Sequence, residues 1–158
     1  LGKKYAEQCV MTLLDDVEKI TLYQKEYVIL HGDTLCIDDV DYQAFRKKAR
    51  SWWWQGIVKN LPLKLRKKIA DDYRKKSANA NAMKSQDIMD VTQSEVVRVL
   101  TQYQVPIMIH GHTHRPAVHN VELTNVNAKR IVLGDWYEHG AWLKISPAGF
   151  ELLNEPFE

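Results

Sequence analysis

Two short apolar runs, each halted by a histidine and a glycine, constrain this chain more than any other feature. Tyr27-Val28-Ile29-Leu30 runs into His31-Gly32-Asp33, and a second run over residues 105–109 ends at His110-Gly111-His112-Thr113-His114. A nearly continuous apolar run of this length reads as a buried strand. Loops carried by such strands sit on a rigid scaffold, which is where sites are built. Two strands ending alike predict that both loops open at one edge of a sheet.

The other segments can be arranged around these two strands. Residues 4–9 read as the end of a helix, and residues 18–23 as a strand joined to residues 27–31 through Gln24-Lys25-Glu26. Residues 38–82 carry a helical pattern. A further helix is expected over residues 92–104, where Thr92 and Glu95 form a capping-box pair and Val96, Val97, Leu100 and Tyr103 supply an apolar face. The remainder is β-rich, with strands expected near residues 117–123, 130–136, 141–146 and 150–153 and a closing meander. Turn chemistry sits at Glu138-His139-Gly140 and Pro147-Ala148-Gly149. The reading is therefore an α/β core, residues 1–37 and 91–158, interrupted by a helical insertion over residues 38–90.

The 158 residues suit one domain with an insertion, and 45% apolar against 27% charged residues exclude a disordered or collagen-like chain. No apolar run approaches the 18 residues a membrane span needs. The start, Leu1-Gly2-Lys3-Lys4-Tyr5, has neither an initiator Met nor an apolar signal core, and reads as a start inside a longer polypeptide. Cys9 and Cys36 are too few for a disulfide framework and are expected as buried thiols of a reducing compartment.

The net charge of +2 conceals a strong asymmetry. Residues 46–76 hold twelve Lys and Arg against Asp71 and Asp72, a net of +10, which leaves −8 for the other 127 residues. Such a local field recruits an anionic partner. Leu65, Ile69 and Tyr73 recur on one helical face, and Pro62 suits a first helical turn. Tyr42, Phe45, Ala49 and Trp52 or Trp53 continue the helical spacing upstream. The cations surround Trp52-Trp53-Trp54, and indole among Lys and Arg favours a membrane interface. Two other readings stand beside it: a solvated helical face with two tryptophans in the core, and a surface for single-stranded nucleic acid.

Five of the six histidines, His31, His110, His112, His114 and His119, fall at strand ends or just after them. In an extended loop His112 and His114 point the same way, and Gly111 lets the backbone turn tightly. Two imidazoles on one side of a loop can hold a metal. Zn, Mn, Fe, Ni and Cu all accept imidazole, so histidine alone does not choose among them. The cysteines lack the spacing of a closed structural zinc set, which favours an open site that activates water.

The strings that carry these residues go further. His110-Gly111-His112-Thr113-His114 after an apolar strand, with His31-Gly32-Asp33 upstream, resembles the last two metal-binding motifs of the calcineurin-like metallophosphoesterases. The likeness narrows over Ile29-Leu30-His31-Gly32-Asp33-Thr34-Leu35-Cys36, Asp39, Tyr42-Gln43-Ala44-Phe45-Arg46, Ile88-Met89-Asp90-Val91 and His110-Gly111-His112-Thr113-His114-Arg115-Pro116-Ala117-Val118-His119. These are similar to the UDP-2,3-diacylglucosamine pyrophosphohydrolase family of Gram-negative bacteria, over nearly the whole chain. The family's upstream motifs, Asp-x-His, its first Gly-Asp and Gly-Asn-Arg-Asp, have no counterpart here. The resemblance thus implies the C-terminal two-thirds of the enzyme, and a partial metallophosphoesterase sandwich with a basic helical lid. It also implies that the isolated chain does not assemble the dinuclear centre.

The resemblance implies two Mn²⁺ ions in the complete enzyme, with His31 and His112 on one and His114 on the other. It gives His112 a catalytic and substrate-contacting role, and places further substrate contacts on Asp39, Tyr42, Phe45, Arg74, Ser77, Asn81 and Lys84. The family's reaction is attack of an activated water on the α-phosphorus, giving UMP and 2,3-diacylglucosamine 1-phosphate for lipid A synthesis. Asp33 and His110, adjacent to ligands, are candidates for orienting imidazoles. Arg115 is a candidate phosphate contact or a surface arginine, and His119 and His139 read as structural. The implied partners are an acylated UDP-glucosamine and the anionic cytoplasmic face of the inner membrane, bound peripherally, with no nucleic acid and a monomeric enzyme. Rival readings are a soluble nucleotide phosphodiesterase of the same superfamily and a basic nucleic-acid-binding module on an inactive scaffold.

Overall fold

A computed structural model of the chain describes residues 2–83, 90–124, 126–137 and 139–157, with residues 78–83 described through their backbone only. The chain is α/β and divides into two compact units, Leu1–Asp33 with Gln93–Glu158, and Thr34–Thr92.

The first unit is organised by the two apolar runs. They form β2 (Lys25–Leu30) and β3 (Ile107–His110), which pair in parallel with Leu30 opposite His110. β1 (Val17–Leu22) flanks β2 antiparallel. On the far side of β3 lies β5 (Asn127–Val132), also parallel, with His110 opposite Val132. β4 (Ala117–Glu122) closes the sheet antiparallel to β5, giving the order β1-β2-β3-β5-β4. The expected closing meander is therefore not what forms. β5 enters the main sheet between β3 and β4, and only β6 (His139–Ser146) and β7 (Gly149–Pro156) make a separate two-stranded ribbon. β5 also runs earlier than expected and stops at Val132, so residues 133–136 form a loop.

Side chains alternate across the sheet. Tyr27, Ile109 and Ile131 lie on one face, buried under Leu143, Ile145, Phe150 and Leu152 of the ribbon. Val28, Met108 and His110 point to the other face and are equally buried. α5 (Gln93–Tyr103) contributes Val96, Val99 and Leu100 to the interior, and its Tyr103 hydroxyl donates to the Val17 carbonyl at 3.5 Å. The expected capping box does not form at its start. Glu95 instead holds Arg98 one turn on, at 2.6 and 2.8 Å, and this bond raises the Arg98 pKa. α1 (Lys3–Gln8) is a short helix that buries Ala6. Of the two cysteines expected inside, Cys36 is buried and Cys9 is exposed.

The β1–β2 connection is tighter than the sequence suggests. Leu22 pairs with Lys25, so the turn is Tyr23-Gln24 alone, with φ of 50° and 63°. Two left-handed residues define a type I′ hairpin turn, which normally selects Asn-Gly. Neither Tyr nor Gln advertises it, so the sequence pattern points to the longer loop Gln24-Lys25-Glu26 instead.

The second unit is helical. α2 (Val40–Arg50), α3 (Trp52–Asn60) and α4 (Leu63–Met83) follow one another, and Pro62 starts α4 by accepting from Leu65 and Arg66 at 3.0 and 3.1 Å. Ile69 and Tyr73 are half-buried while Leu65 stays exposed, and the Tyr73 ring sits 5.0 Å from that of Phe45 on α2. The unit begins and ends a few residues outside residues 38–90 because its ends are tied together. Thr92 donates its N–H to the Leu35 carbonyl at 2.9 Å and its hydroxyl to Asp38 at 2.7 Å. No described helix is long and apolar enough to cross a membrane.

The strained turn makes a prediction. Gln24→Gly removes the steric cost of φ 63° at that position and is expected to stabilise the protein by about 0.5–1 kcal/mol. Thermal unfolding followed by circular dichroism should rise by roughly 1–4 °C; an unchanged or lower midpoint refutes the reading of the turn.

Candidate metal centre

The site grows from the C-terminal ends of three parallel strands. Parallel strands present their carboxyl ends at one edge, and ligands of open α/β sheets bind there. β2 delivers His31, β3 delivers His110 through His114, and β5 delivers Asp135 three residues after its end.

The first two loops are bolted together. Gly111 donates its N–H to the His31 carbonyl at 3.0 Å. Gly32 lies between them at φ +112°, so close that a Cβ there would stand 2.8 Å from His110 Nδ1 and 2.9 Å from the Gly111 carbonyl. Only glycine fits both the conformation and the space. The result is direct contact between imidazoles: the rings of His31 and His112 have centroids 5.0 Å apart, tilted by 60°.

His112 and His114 do not reach their positions through an extended loop. Both have left-handed backbones, with φ of 70° and 54°, so the period-two expectation fails for this segment. His112 faces His31, whereas Nδ1 of His114 lies 3.3 Å from the Asp135 carboxylate. His31 has a similar companion, with Nδ1 3.3 Å from the buried Asp33. A carboxylate beside Nδ1 favours the tautomer protonated there and leaves the Nε2 lone pair for a cation.

His110 plays a different part. It is 1% exposed, its Nε2 meets Arg130 Nη1 at 3.2 Å, and its Nδ1 meets the Gly111 carbonyl at 2.8 Å. A guanidinium can only donate, so Nε2 accepts and Nδ1–H donates. The ring thereby fixes the orientation of the Gly111 peptide, whose oxygen also accepts from Thr113 N–H at 2.9 Å. His119 is exposed on β4 and His139 is exposed at the start of β6.

Among the described residues, no three His, Cys, Asp or Glu side chains come together as a metal-binding group. The sheet edge gathers one imidazole pair, His31 with His112, and two imidazole–carboxylate pairs, His31 with Asp33 and His114 with Asp135. Neutral nitrogen with carboxylate oxygen suits a divalent transition cation, and no thiolate is involved.

The other residues singled out in the sequence lie in the helical unit. Asp39 is buried and caps α2, accepting from the Tyr42 N–H at 3.0 Å. Gln43 donates to the Cys36 carbonyl at 2.9 Å, which anchors the start of the same helix. Phe45 meets the Tyr73 ring at a tilt of 47°. Arg74 and Ser77 are exposed on α4, Arg74 within 3.4 Å of Asp71. Asn81 continues the same helical face by position, and Lys84 lies outside the described residues.

Asp135 and Arg130 were missed by sequence reasoning. Carrying the strand through residue 136 hid the loop that presents Asp135. Ending it at Val132 would have placed a carboxylate at the shared edge.

No family model matches the chain. Curated proteins do. It is 51% identical over 157 residues to the UDP-2,3-diacylglucosamine hydrolase of Vibrio parahaemolyticus, 46% identical to that of Vibrio atlanticus and 46% identical to that of Yersinia pestis. In each case 99% of the chain is matched, and it spans 64–65% of the relative's length.

Replacing Gly32 tests the crowded junction. Gly32→Ala is expected to cost about 1–3 kcal/mol in urea unfolding. A wild-type midpoint would mean that the two loops separate freely. Over nearly all of its length, the chain is a homologue of the UDP-2,3-diacylglucosamine hydrolases.

Proposed function

We propose that the protein, together with the upstream metal-binding motifs that the family resemblance implies, hydrolyses the pyrophosphate bond of UDP-2,3-diacylglucosamine, releasing UMP and 2,3-diacylglucosamine 1-phosphate. The carrying observation is the His31–His112 ring pair at the sheet edge of a chain 46–51% identical to hydrolases of that name. His31, His112 and His114 are the residues that would hold two divalent cations, Mn²⁺ by the family resemblance. When bound, such ions stabilise phosphoryl charge and lower the pKa of a water.

The chain's own residues do the rest by holding still. Asp33 and Asp135 orient two imidazoles, while His110 and Gly111 fix the loop between them. A preorganised edge needs no rearrangement as charge develops on phosphoryl oxygens. His31 is 62% exposed in its side chain, which supports an open approach for a phosphate ester. In the helical unit, the cations of α4 complement an anionic substrate, and Arg74 can meet phosphate or sugar oxygens by charge-assisted bonds. Phe45 and its apolar neighbours suit acyl chains. The metallophosphoesterase sandwich is the fold this reading requires, and the ribbon packed on the five-stranded sheet is compatible with it.

The decisive experiment is UMP release by the intact protein with Mn²⁺, from acylated and deacylated UDP-glucosamine. Preference for the acylated substrate is expected, and equal turnover would favour a general nucleotide phosphodiesterase. His31→Ala and His112→Ala are each expected to lower turnover at least about 100-fold. Asp33→Asn should weaken Mn²⁺ uptake by about 10–100-fold in calorimetry. Unimpaired uptake would remove Asp33 from the site.

The same reading places the protein at the anionic cytoplasmic face of the inner membrane. α3 buries none of its residues, and Trp52 and Trp53 are 86% and 45% exposed, which disfavours a pair of core tryptophans. Trp53 and Trp54 meet edge to face at 5.9 Å, and Lys48 Nζ lies 4.7 Å over the Trp54 ring. Each basic residue near an anionic bilayer contributes about 1 kcal/mol. Sedimentation with phosphatidylglycerol vesicles should fall on adding salt and on Trp52→Ser. Binding indifferent to both would exclude this surface.

A further inference from the structure

Trp136 is a large aromatic side chain that is 66% exposed and yet firmly held. Its indole N–H donates to the Ala141 carbonyl at 2.7 Å, and the Phe157 ring stands 6.3 Å away at 59°. A tryptophan pinned by its one polar atom presents a fixed face to solvent, at a cost in exposed apolar area. Two residues earlier, Gly134 packs so tightly that a Cβ would lie 2.7 Å from that of Ala141 and 3.3 Å from Pro116 Cγ. Pro116 follows His114-Arg115 in sequence, and Asp135, the residue immediately before Trp136, contacts His114 at 3.3 Å. The indole is therefore locked into the same framework as the histidine edge, one Cα step from a residue that belongs to it.

We propose that Trp136 is a stacking platform for the pyrimidine base of a nucleotide whose phosphate lies at the histidine edge. The proposal rests on the hydrolase reading, since the relatives' name specifies a uridine diphosphate ester. A 5′-nucleotide carries its base one ribose away from the phosphorus. A planar π face near a phosphate site is what that geometry calls for. Stacking tolerates any base, and an aromatic platform contributes roughly tenfold or more in affinity per base. Trp136 then holds the base of the nucleotide whose α-phosphorus is attacked, and the sugar phosphate is the group that leaves.

The test compares UMP, ribose 5-phosphate and inorganic phosphate as inhibitors of the intact protein with Mn²⁺. The variants are Trp136→Leu and Trp136→Phe, each checked by thermal unfolding. Wild type should bind UMP about tenfold more tightly than ribose 5-phosphate. Trp136→Leu should lose that preference, binding UMP no more tightly than ribose 5-phosphate, and Trp136→Phe should keep most of it. Independently of activity, UMP but not ribose 5-phosphate should shift the Trp136 indole N–H resonance. A base preference that survives in Trp136→Leu, or none in the wild type, overturns the platform alone. Failure of all three anions to inhibit overturns the hydrolase reading together with it.

Discussion

Much of the candidate site depends on one hydrogen bond between two loops, from the Gly111 N–H to the His31 carbonyl. β2 and β3 pair in parallel up to Leu30 and His110, and this bond carries the pairing one residue beyond their ends. The chain then has to turn away without forcing the loops apart. Gly32 does so at φ +112°, lying against the His110 ring and the Gly111 carbonyl. Any side chain there would push against an imidazole on one side and a peptide oxygen on the other. The approach of the His31 and His112 rings is a consequence of this closeness rather than of their spacing in sequence.

The legible part of the sequence was the part governed by apolar patterning. The two His-terminated strands, the helical character of residues 38–82 and the helix α5 all announce themselves by runs and periodicity, because burial selects side chains at fixed intervals. What failed was governed by local backbone or by long-range pairing. Tyr23 and Gln24 adopt a turn normally written Asn-Gly, because the register of β1 against β2 demands it. His112 and His114 were expected on one side of an extended loop, yet both residues are left-handed and their side chains part company. Thr92 and Glu95 match a capping box, but Thr92 closes the helical unit on Asp38 and Glu95 binds Arg98. Sequence pattern cannot rank such competing partners, since tertiary contacts decide among them.

The charge asymmetry has a structural counterpart. α2, α3 and α4 keep most of their cations exposed, and the ring contacts between them, Phe45 with Tyr73 and Lys48 over Trp54, are modest. Helices gain most of their stability from burying an apolar face. A set that leaves Trp52, Trp53, Ile57, Leu63 and Leu65 largely in solvent forgoes part of that gain. Exposed indoles among cations are energetically reasonable where an apolar, anionic phase meets them, and costly in water alone. The composition of this unit thus fits a partner with both greasy and phosphorylated parts.

In the sheet unit the histidines are graded by their companions. His110 is satisfied at both nitrogens, by Arg130 and the Gly111 carbonyl, so it can hold backbone but has no lone pair to give. His31 and His114 each keep Nδ1 beside a carboxylate, which frees Nε2. The same residue type is thus assigned structure or coordination by what lies across one ring nitrogen. That assignment comes from β5 as much as from the histidine motif, because Arg130 and Asp135 both belong to its strand or the loop after it. A substitution in β5 that shifted its register by one residue would turn Arg130 to the opposite face. The imidazole it leaves behind could then change tautomer, release Gly111 and loosen the edge without touching a single ligand.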